Sequence, residues 1–154
     1  SLRPMGRSTS GVIGMKFRAG DELLAMARVN SQLEGNSFVF TATDGGYGKK
    51  TPIDEYRLQG RGGIGVKAAK VDEDSRGGLV GALIVSEKDE ILVITSGGVV
   101  MRTPVKEVRE TGRDTMGVRL VNLTDETVVV SIARNAESEG GEVSEVSEVS
   151  EVVE

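Results

Sequence analysis

The chain repeats itself. Set over one another, "TDGGYGKKTPIDEYRLQGRGGIGVKAA" (43–69) and "TSGGVVMRTPVKEVRETGRDTMGVRLV" (95–121) align at an offset of 52 without a gap, and 11 of the 27 positions are identical. Average residue usage would give roughly two such matches by chance. A third copy opens the chain: "LRPMGRSTSGV" (2–12) shares Arg3, Gly6, Arg7, Thr9, Gly11 and Val12 with "VRETGRDTMGV" (108–118). Each unit closes on a turn and an apolar run, in "GDELLAMARV" (20–29), "RGGLVGALIV" (76–85) and "DETVVVSIAR" (125–134). A fixed period of this length marks an array of like modules, each burying its apolar face against a neighbour. Ser1 falls inside a unit, so the chain reads as one partial unit and two nearly whole ones, a piece of a longer protein.

Within a unit the pattern is β. "FVFTA" (38–42) and "ILVIT" (91–95) are short apolar strands rich in β-branched and aromatic residues. The diglycines Gly45-Gly46 and Gly97-Gly98 suit hairpin turns that need positive φ. Return strands, "YGKKT" and "VVMRT", stop at Pro52 and Pro104, because proline cannot donate to a ladder. The segments 64–71 and 116–123 alternate as third strands, and the closing run makes a fourth. Four strands per unit is the count of a propeller-like blade. The expected fold is therefore all-β, a β-pinwheel or propeller-like array of four-stranded antiparallel blades. The expected boundaries are 1–34 for a partial blade, 35–86 and 87–134 for two blades, and 135–154 for an acidic, disordered tail. A plain β-sandwich is the competing architecture, and the ungapped period speaks against it.

Charge divides along the same lines. The last 20 residues carry seven Glu and no Lys or Arg, so the net −5 of the whole chain hides a body of +2 over residues 1–134. A tail of repeated Glu-Val-Ser does not keep its valines on one helical face, and unopposed carboxylates favour disorder. A solvating tail with no role of its own is the expected reading, and competition with a polyanion for the basic body is the alternative. The chain has no Cys and no His, which removes disulfides, Cys/His zinc sites and His-based triads. No apolar run approaches the roughly 20 residues of a membrane span, and nothing reads as a signal peptide. A cytoplasmic, nucleoid-associated location is expected.

"LQGRGGIG" (58–65) contains G-x-G-x-x-G through Gly60, Gly62 and Gly65. A dinucleotide fingerprint requires a helix next, whose N-terminus holds the pyrophosphate; the residues after Gly65 read as strand and turn. The equivalent loops, "GRDTMG" (112–117) and "GRSTSG" (6–11), lose the middle glycine and keep G-R-x-x-x-G-V. What recurs is the arginine, in Arg7, Arg61 and Arg113. Other basic positions recur with it: Arg3, Arg57 and Arg109; Lys50, beside Lys49, with Arg102; Lys67 with Arg119. Cations in register on successive modules make a stripe suited to a phosphate backbone, where each contact releases counterions. Glycine loops add close approach and backbone N–H donors. Five aromatics, Phe17, Phe38, Phe40, Tyr47 and Tyr56, are too few and too strand-buried in pattern for a base-stacking platform. Contact with the backbone, accompanied by bending, fits better than sequence reading.

These same residues resemble a known family, the C-terminal β-pinwheel domain of DNA gyrase A, from a bacterial type IIA topoisomerase. The resemblance covers about residues 1–134, most clearly at 96–123 and 2–17. The family's heptapeptide box, Gln-Arg-Arg-Gly-Gly-Lys-Gly, is matched at Gln59, Arg61, Gly62, Gly63 and Gly65, and departs at Gly60 and Ile64, as in a secondary copy of the box. The resemblance implies a domain that bends duplex DNA around a basic rim and directs ATP-dependent negative supercoiling. Its partners would be double-stranded DNA, the rest of the gyrase A polypeptide, and gyrase B, in an assembly of two A and two B subunits, with no membrane. ATP and magnesium would act elsewhere in that assembly, so no cofactor is expected here. Tyr47 and Tyr56 match no strand-breaking motif, and no catalytic residue is assigned. The DNA-contacting set expected is Arg7, Lys49, Lys50, Arg57, Gln59, Arg61, Gly62, Gly63, Gly65, Lys67, Arg102, Arg109, Arg113 and Arg119. The alternatives are the related C-terminal domain of topoisomerase IV and a kelch-like protein-binding propeller; the absence of Trp and the recurring G-R-x-x-x-G-V count against the latter.

Overall fold

A computed structural model describes residues 3–29, 37–124 and 126–135. Two hairpins anchor it. In the first, β1 (Ser37–Thr43) pairs antiparallel with β2 (Tyr47–Pro52); in the second, β4 (Glu90–Thr95) pairs with β5 (Val100–Pro104). Both turns close alike, with Gly46 N–H donating to Thr43 O at 3.1 Å and Gly98 N–H to Thr95 O at 3.0 Å. Gly46 and Gly98 have φ of 82° and 77°, the conformation the diglycines were expected to supply. Each return strand ends at its proline and runs into a 3-10 turn, Ile53–Glu55 or Val105–Glu107.

The closing runs become β3 (Leu79–Ser86), which pairs with β1, and β7 (Val129–Asn135), which pairs with β4. A register shift recurs at equivalent places, between Ala42 and Thr43 and between Ile94 and Thr95. The acidic turn before β3 is a one-turn helix, α1 (Glu73–Arg76).

The third strand departs from expectation. The only strand in 116–123, β6 (Val118–Arg119), joins the preceding unit rather than its own, pairing with Tyr47 and Gly48 of β2. The sheets are therefore β3-β1-β2-β6 and β5-β4-β7 among the described residues. The cause lies at the outer edge of β2. Its N–H and C=O groups need partners, and Gly48 leaves room there, since a Cβ at Gly48 would lie 2.4 Å from Leu120 Cδ1. Leu120 N–H continues the attachment by donating to Gly46 O at 2.8 Å. Segment 64–71 is not a strand; the described residues of the preceding unit, 3–29, hold no strand for it to join.

One apolar cluster runs through both sheets: Phe38, Phe40, Ala42 and Val85 from the first, Ile91, Val93, Val129 and Ile132 from the second, with Val105 and Val108. Val118, Leu120, Val121 and Leu123, around β6, pack on it. Phe38 and Phe40 are buried as the pattern predicted. Phe17 is instead exposed, as are all the described residues of 3–29; that segment touches the blades through the Met15–Gly63 bridge and its neighbours. The acidic tail, apart from Asn135, lies outside the described residues.

Candidate nucleic-acid interface

The arginine loops sit at junctions between units. In the 112–117 loop, Lys49 Nζ from the preceding unit donates to Gly112 O at 2.8 Å, to Arg113 O, and to Thr115 Oγ1 at 3.3 Å. Glu55 Oε2 accepts from Arg113 N–H at 3.1 Å. Thr115 Oγ1 donates to Gly112 O at 2.8 Å, and the equivalent Thr9 Oγ1 donates to Gly6 O at the same distance. The loop shape is thus written locally by G-R-x-T, and Gly63 replaces the threonine in the middle copy.

The junction itself recurs. Lys70 N–H donates to Thr115 O at 3.1 Å, and Lys16 N–H donates to Gly63 O at 2.9 Å. Lys16 is equivalent to Lys70, and Gly63 to Thr115, so the same inter-unit hydrogen bond forms at two successive junctions. A second bond at the earlier one runs from Gly62 N–H to Gly14 O at 2.9 Å.

The expected contact residues divide by environment. Arg7, Arg57, Arg61 and Arg109 are exposed and make no ion pair among the described residues. Arg57, Gln59, Arg61, Gly63 and Gly65 come together, with Tyr56 and Met15, around one open groove of about 380 Å³. Gly62 and Gly65 in this loop have φ of 72° and 81°. No helix follows within reach; α1 is a single turn beginning at Glu73, so the geometry of a dinucleotide fingerprint is missing.

Lys67, Arg102, Arg113 and Arg119 are engaged at the surface. Lys67 lies 3.7 Å from Asp114, and Arg102 lies 3.5 Å from Glu90. Arg113 is half-buried; its Nη1 donates to Lys67 O at 3.1 Å, and its guanidinium lies 6.0 Å from the Tyr56 ring. Arg119 Nη2 donates to Tyr47 Oη at 2.7 Å.

Lys49 and Lys50 are placed differently, with only 2% and 3% of their surface exposed. Lys50 pairs with Glu87 at 2.8 Å and lies 4.9 Å from the Phe38 ring centre. Its equivalent Arg102 is exposed. The difference arises because the next unit crosses over β2, where Thr111 N–H donates to Lys50 O at 3.0 Å. These two ammonium groups face the protein, not its outer surface.

Four participants escaped the sequence reading. Lys16 and Lys70 are exposed and equivalent, a signal present in "GVIGMK" and "GVKAAK". Arg76, just before β3, stacks 4.4 Å from the Tyr47 ring and donates from Nη1 to Gly117 O at 3.3 Å. Glu55 is kept in two copies, yet nothing in sequence links it to Arg113.

Burial shifts two titrations here. Desolvation lowers the pKa of Lys49, although the carboxylates of Glu55 and Asp114 oppose it. Burial raises that of Tyr56. Tyr56 Oη is buried without a partner among the described residues. Tyr56→Phe removes that orphan hydroxyl and should stabilise the protein by up to about 1 kcal/mol in urea unfolding at neutral pH. A raised folded-state pKa gives stability that is present below the unfolded value near 10 and is lost as pH rises through the folded value. The phenylalanine variant should therefore lose less stability than the parent above pH 10.

This geometry has counterparts among known proteins. A family model described as the DNA gyrase C-terminal domain, β-propeller, matches residues 1–30, 37–86 and 89–135. The DNA gyrase A protein of Streptomyces coelicolor is 66% identical over 138 residues, covering 90% of this chain and 16% of that protein. Its Mycobacterium tuberculosis counterpart is 51% identical over 140 residues, covering 91% of this chain and 16% of its own length. The chain thus spans about a sixth of these relatives. Among solved structures, a DNA gyrase A C-terminal domain superposes with a TM-score of 0.71 at 32% identity, over 86% of this chain and 44% of that one. The C-terminal domain of DNA topoisomerase IV superposes at 0.72 with 21% identity, over 80% of this chain and 38% of that one, a likeness of fold.

Proposed function

Since the chain belongs to the DNA gyrase C-terminal β-propeller family, we propose that it binds duplex DNA through its arginine loops and bends it along successive blades. The observation that carries this reading is the repeated junction, in which Lys16–Gly63 and Lys70–Thr115 form the same hydrogen bond and set the loops of Arg61 and Arg113 alike. A polyanion crossing one junction meets equivalent groups at the next. The unpaired cations Arg57, Arg61 and Arg109 supply phosphate contacts, and the glycine backbone permits close approach. Lys16 and Lys70 extend the same track. DNA on the track is bent, and bending is favoured where it brings more phosphates within reach.

Within its full protein this domain would present DNA to the strand-passing parts of a gyrase of two A and two B subunits in the cytoplasm, on the nucleoid. The ATP-dependent supercoiling belongs to that assembly, and this chain contributes DNA geometry rather than bond chemistry.

A salt titration of duplex binding tests the reading. The logarithm of the affinity should fall steeply and linearly with the logarithm of salt, by about 0.9 per phosphate neutralised. A slope near zero would favour a protein-binding propeller instead.

A further inference from the structure

The interior of the first blade holds a lysine side chain that surface binding does not explain. Lys49 lies on β2, 2% exposed, and its three ammonium protons have three acceptors: Gly112 O, Arg113 O and Thr115 Oγ1. All three belong to the arginine loop of the following unit. Burying an ammonium is costly unless each proton is accepted, and this one spends all three on a single loop. Two of the acceptors are backbone carbonyls and the third is a hydroxyl, and Gly112 O also accepts from Thr115 Oγ1. Glu55 grips the same loop at Arg113 N–H, and together the two side chains fix the peptide on either side of the arginine.

The next unit provides the contrast. Its residue equivalent to Lys49 is Met101, on β5, which has no ammonium to give. Met101 is half-buried where Lys49 is buried; a methionine takes the same place on the equivalent strand. What the lysine adds is the three hydrogen bonds to the loop.

We propose that Lys49 is a positioning residue for DNA binding: its buried ammonium holds the Gly112–Thr115 loop in the shape that presents the Arg113 guanidinium to a phosphate. This rests on the DNA-binding reading of the arginine loops. Arg113 uses Nη1 on Lys67 O, and its other donors remain for the ligand. Without Lys49, the loop keeps its arginine but not its geometry.

The test is a double-mutant cycle in DNA affinity, with the 154-residue chain and a short linear duplex over a range of salt. Arg113→Ala should make the salt slope shallower by about 0.9. Lys49→Met, which copies the next blade, should produce most of that change although it removes no surface charge. The double variant should bind no more weakly than Arg113→Ala alone. A merely structural lysine would lower the melting temperature, leave the slope of the folded protein unchanged, and give effects that add. Should Lys49→Met not fold, Thr115→Val decides, because it removes one of the Lys49 acceptors and the loop's own hydrogen bond to Gly112 O: a slope like that of Arg113→Ala supports the inference, and a parental slope overturns it. A shallower slope for Arg113→Ala with an unchanged one for Lys49→Met overturns this inference alone. No change for Arg113→Ala overturns the DNA reading of the loop as well.

Discussion

Gly117→Ala is expected to destabilise the chain by about 3 kcal/mol or more, whereas Gly98→Ala should cost only about 1 kcal/mol. Both glycines have positive φ, 83° and 77°, so both variants carry the strain of a left-handed residue. They differ in what surrounds the new methyl. At Gly98 it would enter open space. At Gly117 it would lie 2.5 Å from Gly48 O and 2.9 Å from Gly48 C, and neither backbone atom can move without opening β2. The strand that follows, β6, would be pushed off its partner. With it would go the packing of Val118, Leu120, Val121 and Leu123 on the shared core. The Lys49 contacts to the loop would be strained as well. A loss of this size lowers the melting temperature by roughly 12 °C or more in a domain of this length. Amide exchange should quicken first at Val118 and Leu120 and least at β4. Equal costs for the two variants would mean that β6 does not lie on β2.

Replacing Arg57, Arg61 and Arg109 together by alanine should make the salt dependence of DNA binding shallower by about 2.7. Counterion release at 0.1 M salt contributes roughly eightfold in affinity per phosphate contact, so the combined loss is on the order of several hundredfold. These three are exposed and make no ion pair among the described residues. Their removal should leave stability within about 0.5 kcal/mol of the parent. Arg113 and Arg119 would be poorer choices, since each also holds part of the fold, at Lys67 O and Tyr47 Oη. Lys88→Ala, in the turn between β3 and β4, removes an exposed charge away from the loops and should change affinity little. An equal loss per charge at Lys88 would point to diffuse attraction rather than a track.

Much of this was legible in the sequence. The hairpins followed from apolar runs flanking diglycines, and their ends from Pro52 and Pro104, because those signals act within a few residues. The destination of β6 did not follow. An ungapped repeat says which positions are equivalent but not whose sheet a strand completes, and a strand as short as Val118–Arg119 carries little periodicity of its own. The environments of Lys49 and Lys50 were hidden for a related reason. Lys49 finds its acceptors 63 to 66 residues away, and Lys50 is covered by a crossing segment of the next unit. Lysine in a period-2 strand ordinarily signals the solvent face, and only the acceptors from the next unit reverse that. The exposed arginines were legible because a surface loop needs no distant partner to be where it is.

The central idea is that equivalent loops on successive blades curve a duplex around the molecule. Its most direct test is to close nicked circular DNA with ligase in the presence of increasing amounts of this chain and to read the linking number after the protein is removed. A curved track predicts a shift of one sign that grows with the protein bound and shrinks for the Arg57, Arg61 and Arg109 variant. Binding without any shift in linking number would contradict it.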